Sequence, residues 1–216
     1  MAHSTFPPYS NDEAEESPED IARAKEAAQS MVDLYLYIGK RMSHRGFDDM
    51  LMNNLKLVAA SGHPGDPTAD PPIRASAHPS TVWELHADSA YTNLNQVVHG
   101  GAIALVMDMA STTALCPIQS TDYWDFMGGV SRALNISYLK AIPTDTTLRI
   151  RSWVVQHGRS LALIRAQMES VDGKIVYATC EHHKFSVPTV PGYIELRDEM
   201  LAEKKKKKEL EGKAKL

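Results

Sequence analysis

Asp108 sits in the middle of an apolar run, with Val106, Met107, Met109 and Ala110 around it. A carboxylate is expensive to place there unless it is paired or put to use. The same run opens on His99-Gly100-Gly101. If the run is helical, the amides of its first turn are unpaired and carry the positive end of the helix dipole. The Gly100 or Gly101 N–H can then polarise a carbonyl group and hold the oxyanion that forms on attack. The two glycines equally suit close packing of helix on sheet. Asn93, six residues before the histidine, is both a hydrogen-bonding side chain and a common turn former. No Ser or Cys nucleophile stands beside His99, so a nucleophilic triad is not supported and His99 reads as an orienting or loop-fixing residue.

The elements that must position these residues follow from periodicity. Ser17-Pro18-Glu19-Asp20 signals a helix start, with Ser as N-cap, Pro in the first turn and acids on the positive end of the dipole. Ile21, Ala24, Ala28, Met31, Leu34 and Ile38 then recur at three- and four-residue steps to about Lys40, giving one apolar face that needs a partner surface. A short helix is expected over Gly46 to Leu55, and Leu55 to Ala60 can begin a sheet. Five prolines and two glycines between residues 62 and 80 forbid regular structure through most of that stretch. Thr81 to Ala87 alternates as a half-buried strand. Gly101 to Leu115, apolar on nearly every face, reads as a buried central helix. Val130–Leu139, Thr146–Gln156, Ser160–Val171 and Lys174–Phe185 read as four strands, with a hairpin signal at Asp172-Gly173. One helix wrapped by a curved antiparallel sheet is an α+β architecture.

Composition narrows the function. The chain has 216 residues, 43% of them hydrophobic and 23% charged, which is one domain with extensions. Its division is expected to be an unstructured acidic tail over 1–17, a helical extension over 18–60, a proline-rich loop over 61–80, the main domain over 81–190 and a charged tail over 191–216. Cys116 and Cys180 are the two cysteines, too few for a disulfide-stapled secreted scaffold. The acidic N-terminus has neither the apolar core of a signal peptide nor the arginines of a transit peptide, so a cytosolic location is expected, with a mitochondrial one left open. No stretch approaches about 18 uninterrupted apolar residues, and no integral membrane span is expected. Lys204 to Lys208 are flanked by Glu199, Glu203, Glu209 and Glu211, a solvated helical face rather than a nucleic-acid site. His99, His157, His182, His183 and Cys180 show no metal-ligand spacing, and His182 and His183 point to opposite faces of a strand.

The combination Asn93, His99-Gly100-Gly101 and Asp108 resembles the signature of the phenylacetate-type acyl-CoA thioesterases. Gly129-Val130-Ser131, Asn135 to Leu139 and Gly158-Arg159-Ser160-Leu161-Ala162 follow in that family's order, so the resemblance covers roughly residues 81 to 185. It implies a hot-dog fold and hydrolysis of an acyl-CoA thioester without a cofactor. It implies that Gly100 contacts the carbonyl, that Asp108 is base or nucleophile, that Asn93 orients the thioester or water, and that Ser131 holds water. It also implies a homodimer or a dimer-of-dimers tetramer with sites shared between protomers. Gly101, Arg132, Tyr138, Gly158, Arg159 and Ser160 are the expected substrate-binding positions, the cationic ones suited to the phosphorylated tail of CoA. Two alternatives stand beside this one. A hot-dog module could bind acyl groups or assemble without hydrolysis, and a hot-dog hydratase or dehydratase would need a histidine paired with an acid on the same frame.

Overall fold

The computed structural model of the chain describes residues 16–43, 46–66, 68–69, 74–120 and 123–213. Most of the acidic tail expected over 1–17 lies outside these residues. Helix α1 spans Pro18–Arg41, capped by the Ser17 side chain, which accepts from the Asp20 amide. It buries Ala24, Ala28, Met31, Val32, Leu34 and Ile38, the apolar face that the three- and four-residue spacing defines. Helix α2 (Asp49–Asn54) leads into strand β1 (Lys56–Ser61), which pairs antiparallel with β2 (Ser80–Ala87). The stretch over Leu55 to Ala60, read from the sequence as able to begin a sheet, supplies an edge of it.

Helix α3 (Gly100–Thr112) is followed by a tighter turn of 3₁₀ helix over Thr113–Ile118. The single α-helix expected to Leu115 ends early for two reasons. Thr112 and Thr113 hydroxyls donate to the carbonyls of Asp108 and Ala110, competing with regular helix bonds, and Pro117 has no amide to donate. Gly100–Ile118 as a whole is long and apolar enough to cross a membrane by composition, but 67% of its most apolar window is buried inside this molecule. It is a core element here.

Strands β3 (Val130–Tyr138), β4 (Thr146–His157), β5 (Leu161–Ser170) and β6 (Val176–Phe185) complete a six-stranded antiparallel sheet of order β1-β2-β4-β5-β6-β3. The β5–β6 turn is longer than a two-residue hairpin. Asp172 accepts from the Ser170 hydroxyl and the Lys174 amide, closing the ladder early, and Gly173 takes a φ of 71°. The inner face of the sheet packs on α3 through Trp83, Leu85, Leu148, Ile150, Met168, Ala178 and Cys180, against Ile103, Val106, Met107 and Ala110. This helix wrapped by a curved antiparallel sheet is the hot-dog fold. The charged C-terminal segment forms helix α4 (Pro191–Lys213), whose Met200 packs with Leu34 and Ile38 of α1. Tyr37 and Arg41 on α1 bond to Glu203, and Lys204 pairs with Asp33.

Candidate active site

The Asp108 side chain is 35% exposed on the face of α3 that looks toward β6 and β3. Ser131, at the start of β3, donates to Asp108 Oδ1 at 2.7 Å. His182 of β6 sits with Nε2 2.9 Å from Ser131 Oγ and 3.3 Å from the same Oδ1. Its other ring nitrogen, Nδ1, lies 2.7 Å from Ser111 Oγ, one turn along α3 from Asp108. An ionised carboxylate only accepts, so Ser131 must spend its proton on Asp108 and His182 must donate from Nε2. Nδ1 then accepts from Ser111, whose single proton goes to the ring at 2.7 Å rather than to the Asp108 carbonyl at 3.3 Å, and one tautomer of a neutral ring satisfies the contacts of both its nitrogens. Burial of the fully enclosed imidazole, then the nearby Lys184 charge, pushes His182 down to about 4 against the pull of Asp108.

Behind the carboxylate, Thr112 Oγ1 donates to the Asp108 carbonyl at 2.8 Å and accepts from Lys184 Nζ at 2.9 Å. Sequence reasoning had no place for Ser111, His182 or Lys184. The available signal was the alternation along β6, which turns Cys180, His182 and Lys184 to the buried side.

At the other end of α3, His99 is the N-cap, and its Nδ1 accepts from the Gly101 amide at 2.9 Å. Gly101 is thereby removed as an amide donor to a ligand. A Cβ at this position would lie 3.1 Å from His99 Nδ1, so the glycine permits the cap. The Gly100 amide has no partner among the described residues. Asn93 heads a tight turn in which its Oδ1 accepts from the Asn95 amide at 2.9 Å and its own amide donates to the Val97 carbonyl. That leaves the Asn93 side-chain NH₂ with no bond to a described residue. Asn93, Leu94, Asn95, His99 and Gly100 line one open hollow of about 520 Å³. Tyr138, at the far end of β3, donates to the Gly100 carbonyl at 3.2 Å.

The remaining sequence-picked residues fall at the Asp108 end. Arg132 occupies a bulge between Ser131 and Ala133 in the β3–β6 register and is exposed. Arg159 and Ser160 lie in the β4–β5 turn, beside Leu161, which is level with Phe185 and Val130 across the sheet. Gly158 closes that turn by donating to the Leu161 carbonyl, and its own carbonyl accepts from Trp124 Nε1 at 2.8 Å. The long α3–β3 connection thus braces the turn, with Tyr123 bonded to His157 at 2.6 Å.

Two groups of residues therefore exist in one chain, and they are far apart. Asp108 follows Gly100 by eight positions on one helix, which is about 12 Å along its axis. A single thioester or ester group cannot touch both.

Residues 95–177 match the model of the thioesterase superfamily. By shape the chain is similar to zebrafish thioesterase superfamily member 2, at 23% identity and a TM-score of 0.54, over 77% of this chain and 98% of that one. Mouse thioesterase superfamily member 2 aligns at 19% identity and a TM-score of 0.53, over 80% of this chain and 100% of that one. The PaaI protein of the E. coli phenylacetic acid degradation operon aligns at 12% identity and 0.52, over 77% and 98%. No curated protein matches by sequence.

Proposed function

We propose, from the premise that this chain is a hot-dog-fold member of the thioesterase superfamily, that it hydrolyses acyl-CoA thioesters to a free acid and CoA. The observation that carries the proposal is the Asp108 carboxylate, held by Ser131 and His182 through one oxygen in an otherwise apolar helix. Its second oxygen, Oδ2, has no hydrogen-bond partner among the described residues and is left for chemistry. The Gly100 N–H polarises the thioester carbonyl and holds the oxyanion, and the free NH₂ of Asn93 orients the same group. Water bound at Ser131 Oγ attacks the carbonyl carbon while its proton passes to Asp108 Oδ2. Collapse of the tetrahedral intermediate breaks the C–S bond, and the leaving thiolate takes the proton back from Asp108. Direct attack by Asp108, with hydrolysis of the resulting anhydride, uses the same atoms. Arg132 and Arg159, on the same rim, suit the phosphates of the CoA tail.

The 12 Å separation within a chain argues that the working unit is a dimer. Strand β3 is a sheet edge, exposed along most of its length, with unpaired backbone groups. Ser131 marks one end of it and Tyr138 the other. Pairing β3 antiparallel with the same strand of a second copy sets the Tyr138–Gly100 end of one protomer beside the Ser131–Asp108 end of its partner. Each site then takes Asn93 and Gly100 from one chain and Asp108 and Ser131 from the other.

A hydratase reading gains an observation from the His182–Asp108 pair. His182, however, is fully enclosed, with Nδ1 taken by Ser111 and Nε2 by Ser131 and Asp108, so neither ring nitrogen is open to a substrate. A thiol-release assay over a panel of aliphatic and aromatic acyl-CoAs tests the proposal. Thiol release with at least one class is expected, abolished in Asp108→Asn. Binding without release would leave an acyl-binding module, and loss of enoyl-CoA absorbance without thiol release would leave a hydratase.

A further inference from the structure

Lys184 is 2% exposed, on the inner face of β6. Its ammonium has three donors, and Thr112 Oγ1 is its one hydrogen-bond partner among the described residues. No carboxylate of a described residue lies within ion-pairing distance of it. A buried, unpaired ammonium is among the costliest groups a core can hold, and a methionine of similar length would fill the same space without that cost. The groups around it decide what the charge is for. Strand β5 sets Ala162 level with it and β3 sets Ser131, neither of them a charge. On its own strand His182 is neutral. The 3₁₀ turn contributes the Cys116 thiol, which burial pushes up to about 12 and so keeps neutral. Helix α3 contributes Asp108, the one carboxylate among the described residues that acts on it, reached through Thr112, whose hydroxyl bonds the Asp108 carbonyl.

We infer that Lys184 is a positioning residue that supplies the counter-charge to Asp108 inside the site, acting through Thr112 and through space rather than by an ion pair. An ion pair would tie up Oδ2, the oxygen that must accept a proton from water. A cation one residue removed balances the charge and leaves that oxygen free. The arrangement also fixes a working range. Burial lowers Lys184 to about 8, and Asp108 opposes that fall. Above that pH the Lys184 charge is lost, so turnover is expected to decline on the alkaline side for a reason unrelated to the substrate.

This inference rests on the reading of Asp108 as the reacting carboxylate, and its test keeps the two separable. In the full chain, kcat/KM measured against pH is expected to show an alkaline limb near pH 8. In Lys184→Met that limb should disappear, with kcat at pH 7 lower by roughly tenfold or more and KM nearly unchanged. Thr112→Val, which removes the tether and keeps the charge, should retain the limb. Independently of activity, the Lys184 side-chain resonance in ¹³C-lysine-labelled protein, assigned with Lys184→Arg, should titrate at lower pH in Asp108→Asn than in the parent. An alkaline limb that persists in Lys184→Met, or a Lys184 titration that does not move in Asp108→Asn, would overturn the inference. Should Lys184→Met not fold, the resonance measurement decides alone, since Asp108→Asn keeps the lysine. Full activity in Asp108→Asn with a shifted Lys184 titration would instead sink the catalytic reading and leave the charge pairing intact.

Discussion

Ser131 Oγ lies 2.7 Å from Asp108 Oδ1 although 23 positions of sequence separate them. The contact crosses from the edge strand to the central helix, and His182 braces the same pair from β6. Because the serine proton is spent on the carboxylate, Ser131 is placed to orient rather than to attack.

Replacing Ser131 by Ala should therefore lower kcat by about tenfold to a hundredfold, the scale of losing one oriented hydrogen bond to a charged group at a reacting centre. The side chain is exposed in the single chain, so the melting temperature should stay within a few degrees of the parent. Loss of all activity with an acyl-enzyme trapped on Ser131 in the parent protein would show a serine nucleophile instead.

His182 ties the site to stability at acid pH. Its folded-state pKa is about 4, below the unfolded value of 6.5, so between those values the unfolded chain binds the extra proton. The stability it permits is whole above about pH 6.5 and is lost as the pH falls toward 4, by on the order of 3 kcal/mol at most. Urea unfolding of the parent and of His182→Gln, measured from pH 4 to 7, should show the parent's advantage shrinking through that window. A difference between the two proteins that stays constant with pH would refute the neutral buried histidine.

The strands and the central helix were legible because their apolar periods are strong, and α1 was legible from its cap and its three- and four-residue stripe. Asn93, Gly100, Asp108 and Ser131 were legible as a pattern, and so was the separation of Gly100 from Asp108 along one helix, but the contact of Ser131 with Asp108 was not. His182 and Lys184 were not legible because the end of β6 is polar on both faces: Glu181 and His183 alternate with His182 and Lys184. Local period gives no contrast there, and the enclosed pair is told only by carrying the alternation forward from Ala178 and Cys180. Helix α4 was legible as a charged helical tail, but its docking onto α1 was not. It is polar around most of its circumference, and it docks through Met200 and ion pairs to α1 rather than through a continuous apolar stripe.

The most direct test of the proposed site shared between two chains is complementation between two inactive variants. Asp108→Asn should lose at least about a hundredfold in kcat while still binding acyl-CoA, the usual scale for removing a general base, and Asn93→Ala should also be strongly impaired. Hybrid dimers made by co-refolding and separated by different tags hold both defects in one site and neither in the other. Acyl-CoA hydrolysis should return in the purified hybrid to about half the rate of the unsubstituted protein, since one of its two sites is intact. A hybrid dimer as inactive as its parents would contradict the shared site.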